Sequence, residues 1–125
     1  MNLVTGATGL LGSHVLIELA KRDKPIRAAY RSDTKKAAVE QLFHFYLKEN
    51  ASKKWQQIEW VRADLRDIDE LKSIVEGSTT IYHCAALVSF FKADFEVCIQ
   101  QNRYVTADLV DLAIQYGVQH FCHVS

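Results

Sequence analysis

Three of the chain's five glycines fall within seven positions, in the run TGATGLLG at residues 5–12. Gly6, Gly9 and Gly12 are spaced for work that side chains cannot do. A residue without a Cβ lets the chain turn tightly, lets an anion approach backbone N–H groups, and lets a following helix sit close on a sheet. The run follows the short apolar stretch NLVT and leads into the amphipathic LLGSHVLIELAKR, where a strand gives way to a helix. A helix start presents unpaired amides and a partial positive charge, which suits a phosphate. Glycines alone are also compatible with a tight turn that binds nothing. The strand before and the helix after favour a pyrophosphate, and hence a dinucleotide.

If a dinucleotide lies there, the residue closing the second strand faces its adenosine ribose. An acidic side chain would accept from a free 2′-hydroxyl, and a basic one would meet a 2′-phosphate. The residue is Arg31, followed by Ser32, Lys35 and Lys36, so three cations gather where one phosphate would sit. NADP is therefore expected, with NAD as the alternative. Ser32 or Asp33 also suits the N-cap of the next helix. Asp64 closes the third strand in VRADLRD and could accept from an adenine amino group, with a local Asx-turn as the competing reading. The small residues of HCAALV, 83–88, would let the backbone pass close beneath a ligand.

Such residues need a scaffold that brings several strand ends to one edge. Short apolar or β-branched runs (NLVT, IRAAY, IEWVRA, TIYHCAA, HFCHV) alternate with helix-period segments along the chain. The alternation predicts an α/β fold, a parallel sheet of about five strands covered by helices on both faces. Residues 1–125 are expected to form one dinucleotide-binding domain. Pro25 follows the first helix, Gly77 and Gly117 suit left-handed C-caps, and Asp67 with Glu70 suits a reciprocal N-cap. KENASKK is expected to be a polar loop. A long fourth helix is expected from about residue 91 to 116, with an inward stripe of Phe91, Phe95, Cys98, Val105, Leu109, Leu112 and Tyr116. Asn102 interrupts that stripe and, as an inward amide, must find partners that brace either backbone or cofactor side. Ile99, Val110 and Ile114 widen the apolar surface, which suits either a second subunit beside the sheet or a buried core helix.

Fifteen Lys and Arg balance fifteen Asp and Glu, so no net field would draw the protein to nucleic acid or an anionic membrane. No apolar run approaches membrane-spanning length. Cys84, Cys98 and Cys122 are scattered and odd in number, and are read as small core residues in a reducing compartment, with the cytoplasm the expected location. His120 and His123 flank Cys122 but would face opposite sides of a strand, so no metal site is expected there.

Taken together these residues resemble the extended short-chain dehydrogenase/reductase family, the NAD(P)-dependent epimerase/dehydratase group. The resemblance rests on TGATGLLG, on ADL at 63–65, on HCAA at 83–86, on Asn102 followed by Thr106, and on the closing YGVQHFCHVS. It implies cofactor contacts from the Gly6–Gly12 turn, including Thr8, Leu10 and Leu11. It also implies Asp64 and Leu65 at the adenine, and Ala85, Ala86 and Leu87 beside the ribose and nicotinamide. Asn102 would lie near the cofactor, Arg31 points to the NADP-using reductases, and such proteins commonly pair through their long helices. With that resemblance the sheet is expected to be doubly wound and Rossmann-like, its five strands in the order 3-2-1-4-5, and the implied activity is hydride transfer on a sugar nucleotide, a steroid-like alcohol or another carbonyl compound.

The family's catalytic Tyr-x-x-x-Lys pair is missing: none of Tyr30, Tyr46, Tyr82, Tyr104 or Tyr116 has lysine four places on. The family's catalytic Ser or Thr would fall just past Ser125. The chain is therefore expected to be the N-terminal portion of a longer enzyme, without the later strands and substrate lobe. The alternatives are a non-catalytic NADP sensor resembling the nitrogen-repressor-like regulators, and a dimerisation scaffold without cofactor.

Overall fold

A computed structural model of the chain describes residues 1–86 and 90–124. Five parallel strands, β1 (Asn2–Thr5), β2 (Ile26–Tyr30), β3 (Glu59–Arg62), β4 (Thr80–His83) and β5 (His120–His123), form one sheet in the order 3-2-1-4-5. Alternation along the strands divides the core into two layers. Leu3, Ala29 and Ile81 point to one face, where they meet α4 (Ile68–Val75) and α6 (Val105–Gln115) through Leu71, Ile74, Leu109 and Leu112. Val4, Ile26 and Ala28 point to the other, against α1 (Leu10–Lys21) and α2 (Asp33–Leu47) through Leu16, Ile17, Val39 and Phe43. The central strand β1 is buried on both sides, as a parallel sheet requires.

Local chemistry sets the element ends. Gly77 and Gly117 have φ of +83° and +70°, as the expected left-handed caps require. Ser32 caps α2 by accepting from the Lys35 N–H at 3.3 Å. Asp67 caps α4 by accepting from the N–H groups of Asp69 and Glu70. The cap is not reciprocal, because Glu70 Oε2 accepts from the Asp64 N–H at 2.6 Å and thereby fastens the preceding loop. Arg27, on β2, donates to the carbonyls of Ile74 and Glu76 at 2.8 and 2.6 Å, satisfying the end of α4 from the sheet face the two share.

Three further expectations are corrected. KENASKK is a helical turn at Lys48–Asn50 followed by α3 (Ala51–Gln56), because Ala51 and Trp55 are four residues apart and both turn inward. The Trp55 ring meets Phe43 edge-on at 5.2 Å, and Lys54 pairs with Asp23. The fourth helix is broken into a turn at Lys92–Asp94, α5 (Phe95–Ile99), a wide π turn at Gln100–Tyr104, and α6. A π turn holds extra backbone and shifts the facing of everything before it. Hence Val105, Leu109 and Leu112 are buried while Phe91, Phe95 and Asn102 are exposed, and Asn102 does not interrupt an inward stripe. The cysteines are not core residues: Cys84 and Cys98 are half-buried, and Cys122 is exposed on the edge strand β5. Val110 and Ile114 lie on the outer, exposed side of α6.

The lower layer makes a direct test of this packing, since α2 carries one buried and one exposed phenylalanine. In chemical denaturation, Phe43→Ala is expected to lower the unfolding free energy by about 3–5 kcal/mol. Phe45→Ala should change it by no more than about 0.5 kcal/mol.

Candidate cofactor site

The carboxyl ends of β1, β2, β3 and β4 open on a cavity of about 420 Å³. Its floor is the glycine turn. Gly6 has φ of +64°, and a Cβ there would lie 2.6 Å from the Ala85 backbone nitrogen. A Cβ on Gly12 would stand 2.0 Å from the Gly6 carbonyl oxygen, so α1 sits on the turn with no room for a methyl group. The turn closes through the Gly9 N–H, which donates to the Gly6 carbonyl at 3.0 Å. Gly9 then stands at the N-cap of α1 and offers no side chain, and the first turn carries no acidic residue. The leading amides of α1 thus keep their capacity for an outside acceptor, and the helix end is left positive. These features fit a diphosphate.

Of the residues expected to bind, Gly6, Thr8, Gly9, Arg31, Leu65, Ala85 and Ala86 line this one cavity. Leu10 is 83% exposed at the start of α1 with Leu11 beside it, while Gly12 is buried behind the turn. Leu87 lies outside the described residues. Asn102, exposed on the π turn, is not part of the lining.

The cations divide unequally. Arg31, Ser32 and Lys35 face the cavity. Lys36 is diverted onto the faces of Tyr30 and Trp60, at 4.9 and 5.2 Å from the ring centroids, so only two of the three expected cations gather at this wall. Asp33 is drawn to Arg62 of the neighbouring strand at 3.3 Å.

Asp64 makes the Asx-turn that was its competing reading. Its Oδ1 accepts from the Arg66 backbone N–H at 2.9 Å, an Asx-turn, and both oxygens engage the Arg66 guanidinium at 3.1 Å. Those hydrogen bonds hold the Asp64 carboxyl below its ordinary pKa. The carboxylate lines a neighbouring concavity with Arg31, Arg62 and Glu70, while Arg66 itself faces the main cavity.

Reasoning from sequence missed the polar network under the site. His83 is 1% exposed, with Nδ1 2.7 Å from Thr5 Oγ1 and Nε2 2.8 Å from Thr106 Oγ1. One ring nitrogen donates and the other accepts, so the neutral ring is satisfied on both sides. Thr5 Oγ1 also accepts from the Ala85 N–H at 3.3 Å, which ties the Cys84–Ala86 ledge to β1. The available signal was register, because two polar residues end adjacent strands and Thr5 pairs directly with His83. Burial lowers the His83 pKa to about 4, with His123 adding repulsion. Burial likewise raises the Cys84 thiol.

The comparisons agree with this geometry. The chain belongs to the NAD dependent epimerase/dehydratase family, whose family model matches residues 2–125. It is 32% identical over 123 residues to Sterol demethylase protein B of Methylococcus capsulatus. It is 26% identical over 127 residues to 3 beta-hydroxysteroid dehydrogenase type 7 of Mus musculus. Each match takes in 98% of this chain but only 33% and 31% of the relative, so the chain spans about a third of their length. A short-chain dehydrogenase/reductase superfamily protein from Agrobacterium tumefaciens, solved with bound NAD, shares the fold. The TM-score is 0.74 at 24% identity, over 97% of this chain and 31% of that one. Among the described residues no helix is long and apolar enough to cross a membrane.

The network carries a pH dependence of definite sign. Above pH 6.5 His83 is neutral folded and unfolded, and its stabilising contacts count in full. As pH falls the unfolded chain takes up the proton first, so stability drops until the folded value near 4 is reached. In denaturant titrations at pH 7 and pH 4, the acid-induced loss should be smaller in His83→Gln than in wild type by about 3 kcal/mol. Equal losses would show that His83 is not a buried neutral ring.

Proposed function

We propose that this chain holds a nicotinamide dinucleotide, NADP in preference to NAD, across the carboxyl ends of its strands. It would be the cofactor-binding part of an oxidoreductase or epimerase/dehydratase acting by hydride transfer on a sugar nucleotide or another alcohol or carbonyl compound. The observation that carries the reading is the uncapped start of α1, pressed onto a turn where neither Gly6 nor Gly12 has room for a methyl group. Family membership supports the cofactor class. The mouse relative, named as a hydroxysteroid dehydrogenase, supports an alcohol or carbonyl substrate.

In this reading the turn at Gly6 and Gly9, Thr8, and the first amides of α1 at Leu10, Leu11 and Gly12 receive the pyrophosphate. Leu65 contributes an apolar wall at the adenine end, and Ala85 and Ala86 border the nicotinamide ribose with their short side chains. Thr5 and His83 keep that border in place through the Ala85 N–H. Arg31 and Lys35, with the Ser32 hydroxyl between them, take the 2′-phosphate that distinguishes NADP. When bound, the nicotinamide supplies a two-electron hydride acceptor or donor.

Equilibrium titration with NADPH and NADH, on wild type and Arg31→Ala, tests the phosphate assignment. Arg31→Ala should weaken NADPH by about tenfold or more, the equivalent of losing a charge-assisted contact, and leave NADH within about twofold. Equal affinities for the two dinucleotides in wild type would contradict the preference for NADP.

A further inference from the structure

Three polar side chains stand in line beneath the cavity, and one direction of their protons satisfies them all. Thr5 is fully buried, and its Oγ1 already accepts from the Ala85 N–H at 3.3 Å. Among the described residues, the acceptor in reach of its own hydroxyl proton is His83 Nδ1 at 2.7 Å. If Nδ1 carried the ring proton instead, the Thr5 proton would be buried without an acceptor, which costs free energy. At the other end Nε2 lies 2.8 Å from Thr106 Oγ1, and Thr106 is half-buried, so its hydroxyl proton can turn to water. The ring is neutral at pH 7, because burial lowers its pKa to about 4, and a neutral ring has one donor and one acceptor. The proton therefore belongs on Nε2. Phe121 and His123 of β5 meet the ring as aromatic contacts, with centroids 6.2 and 5.5 Å away.

We propose that Thr106 is a positioning residue for the cofactor. It holds His83 as the Nε2–H tautomer, and the chain from Ala85 N–H to Thr5, Thr5 O–H to Nδ1, and Nε2–H to Thr106 sets where the Ala85–Ala86 ledge lies. This role rests on the dinucleotide reading given above and falls to a side chain outside the cavity lining. Three donors that point the same way polarise one another, so the last acceptor strengthens the first bond. The other side of the ledge is confined by Gly6, where a Cβ would lie 2.6 Å from the Ala85 nitrogen. Thr106 is itself held in place, since it follows Val105, which is buried in the core at the start of α6. Across the π turn, α5 sends Val97 into the cavity lining. One helical segment thus meets the ligand space at Val97 and holds its border from beneath at Thr106.

Two measurements test this. The first needs no ligand: long-range 1H–15N correlation of 15N-histidine-labelled protein at pH 7 should show His83 with a protonated Nε2 and an unprotonated Nδ1. The second is equilibrium binding of NADH, NADPH and ADP. The ledge lies at the nicotinamide end, so ADP, which fills the adenosine and diphosphate positions alone, does not reach it. Thr106→Val should weaken NADH and NADPH by the same factor, about three- to tenfold, and leave ADP within about twofold. Thr106→Ser, which keeps the acceptor, should restore both dinucleotides to within about twofold of wild type. Circular dichroism melts report whether each variant is folded.

A His83 protonated on Nδ1 would overturn the proton direction, whether or not Thr106→Val folds. A folded Thr106→Val that binds NADH as wild type does, or that loses ADP in step with NADH, would overturn the positioning role. Failure of wild type to bind ADP and both dinucleotides would instead refute the dinucleotide reading, and with it the role of Thr106 toward a cofactor, while the ring spectrum still decides the proton direction.

Discussion

Two missing Cβ atoms set how close the first helix can come to the first turn, and the rest of the site is built on that approach. The Gly6 carbonyl sits directly under Gly12, and Gly6 itself passes close to the Cys84–Ala85 backbone at the end of β4. One turn therefore touches both the helix it launches and the strand beside it. Side chains at either position would push α1 away from the sheet edge, and the leading amides of the helix would no longer point across the ends of β1 and β4. The same closeness leaves Gly9 as an N-cap without a capping group. Helix starts ordinarily recruit a side-chain oxygen, and a start without one leaves its first amides able to meet an outside acceptor.

Polar groups inside the sheet end complete what the glycines begin. Thr5, His83 and Thr106 run from β1 through β4 to α6, and each hydrogen-bonding atom in that line has a partner. Because the ring is buried and neutral, it costs little at neutral pH and becomes a liability only in acid. The line also reaches the Ala85 N–H, so the ledge at the far end of the cavity is held from beneath. Arg27 performs a comparable task at the opposite end of the sheet, where it ties α4 to β2.

Much of this was legible in the sequence because the strands and the first helices follow simple periods. The five strands, the glycine turn and the Asp67 cap follow from local patterns with one dominant physical cause, Ser32 was one of two N-cap candidates, and the strand order came with the family resemblance. The misreadings have causes as well. Ala51 and Trp55 are only two inward residues in a polar run, too few to outweigh the lysines around them. The π turn at Gln100–Tyr104 changes the period within one segment, so a stripe drawn at constant spacing carried Asn102 inward when it is exposed. Lys36 prefers aromatic faces that come from two different strands, Tyr30 and Trp60, and no local rule brings those rings together. Asp64 was legible as a polar residue at the right edge, yet its partner two residues on, Arg66, was hidden in an ordinary charged run.

All of these features converge on one claim, that a diphosphate is received by the leading amides of α1. The most direct measurement is the backbone amide NMR spectrum of the protein as nicotinamide dinucleotide is added. Large, saturable shifts should appear at Gly9, Leu10, Leu11 and Gly12, and at Ala85 across the turn, with little change in the outward face of α6. Amides that stay in place at Gly9–Gly12 while a dinucleotide saturates elsewhere, or that never respond, would contradict the account.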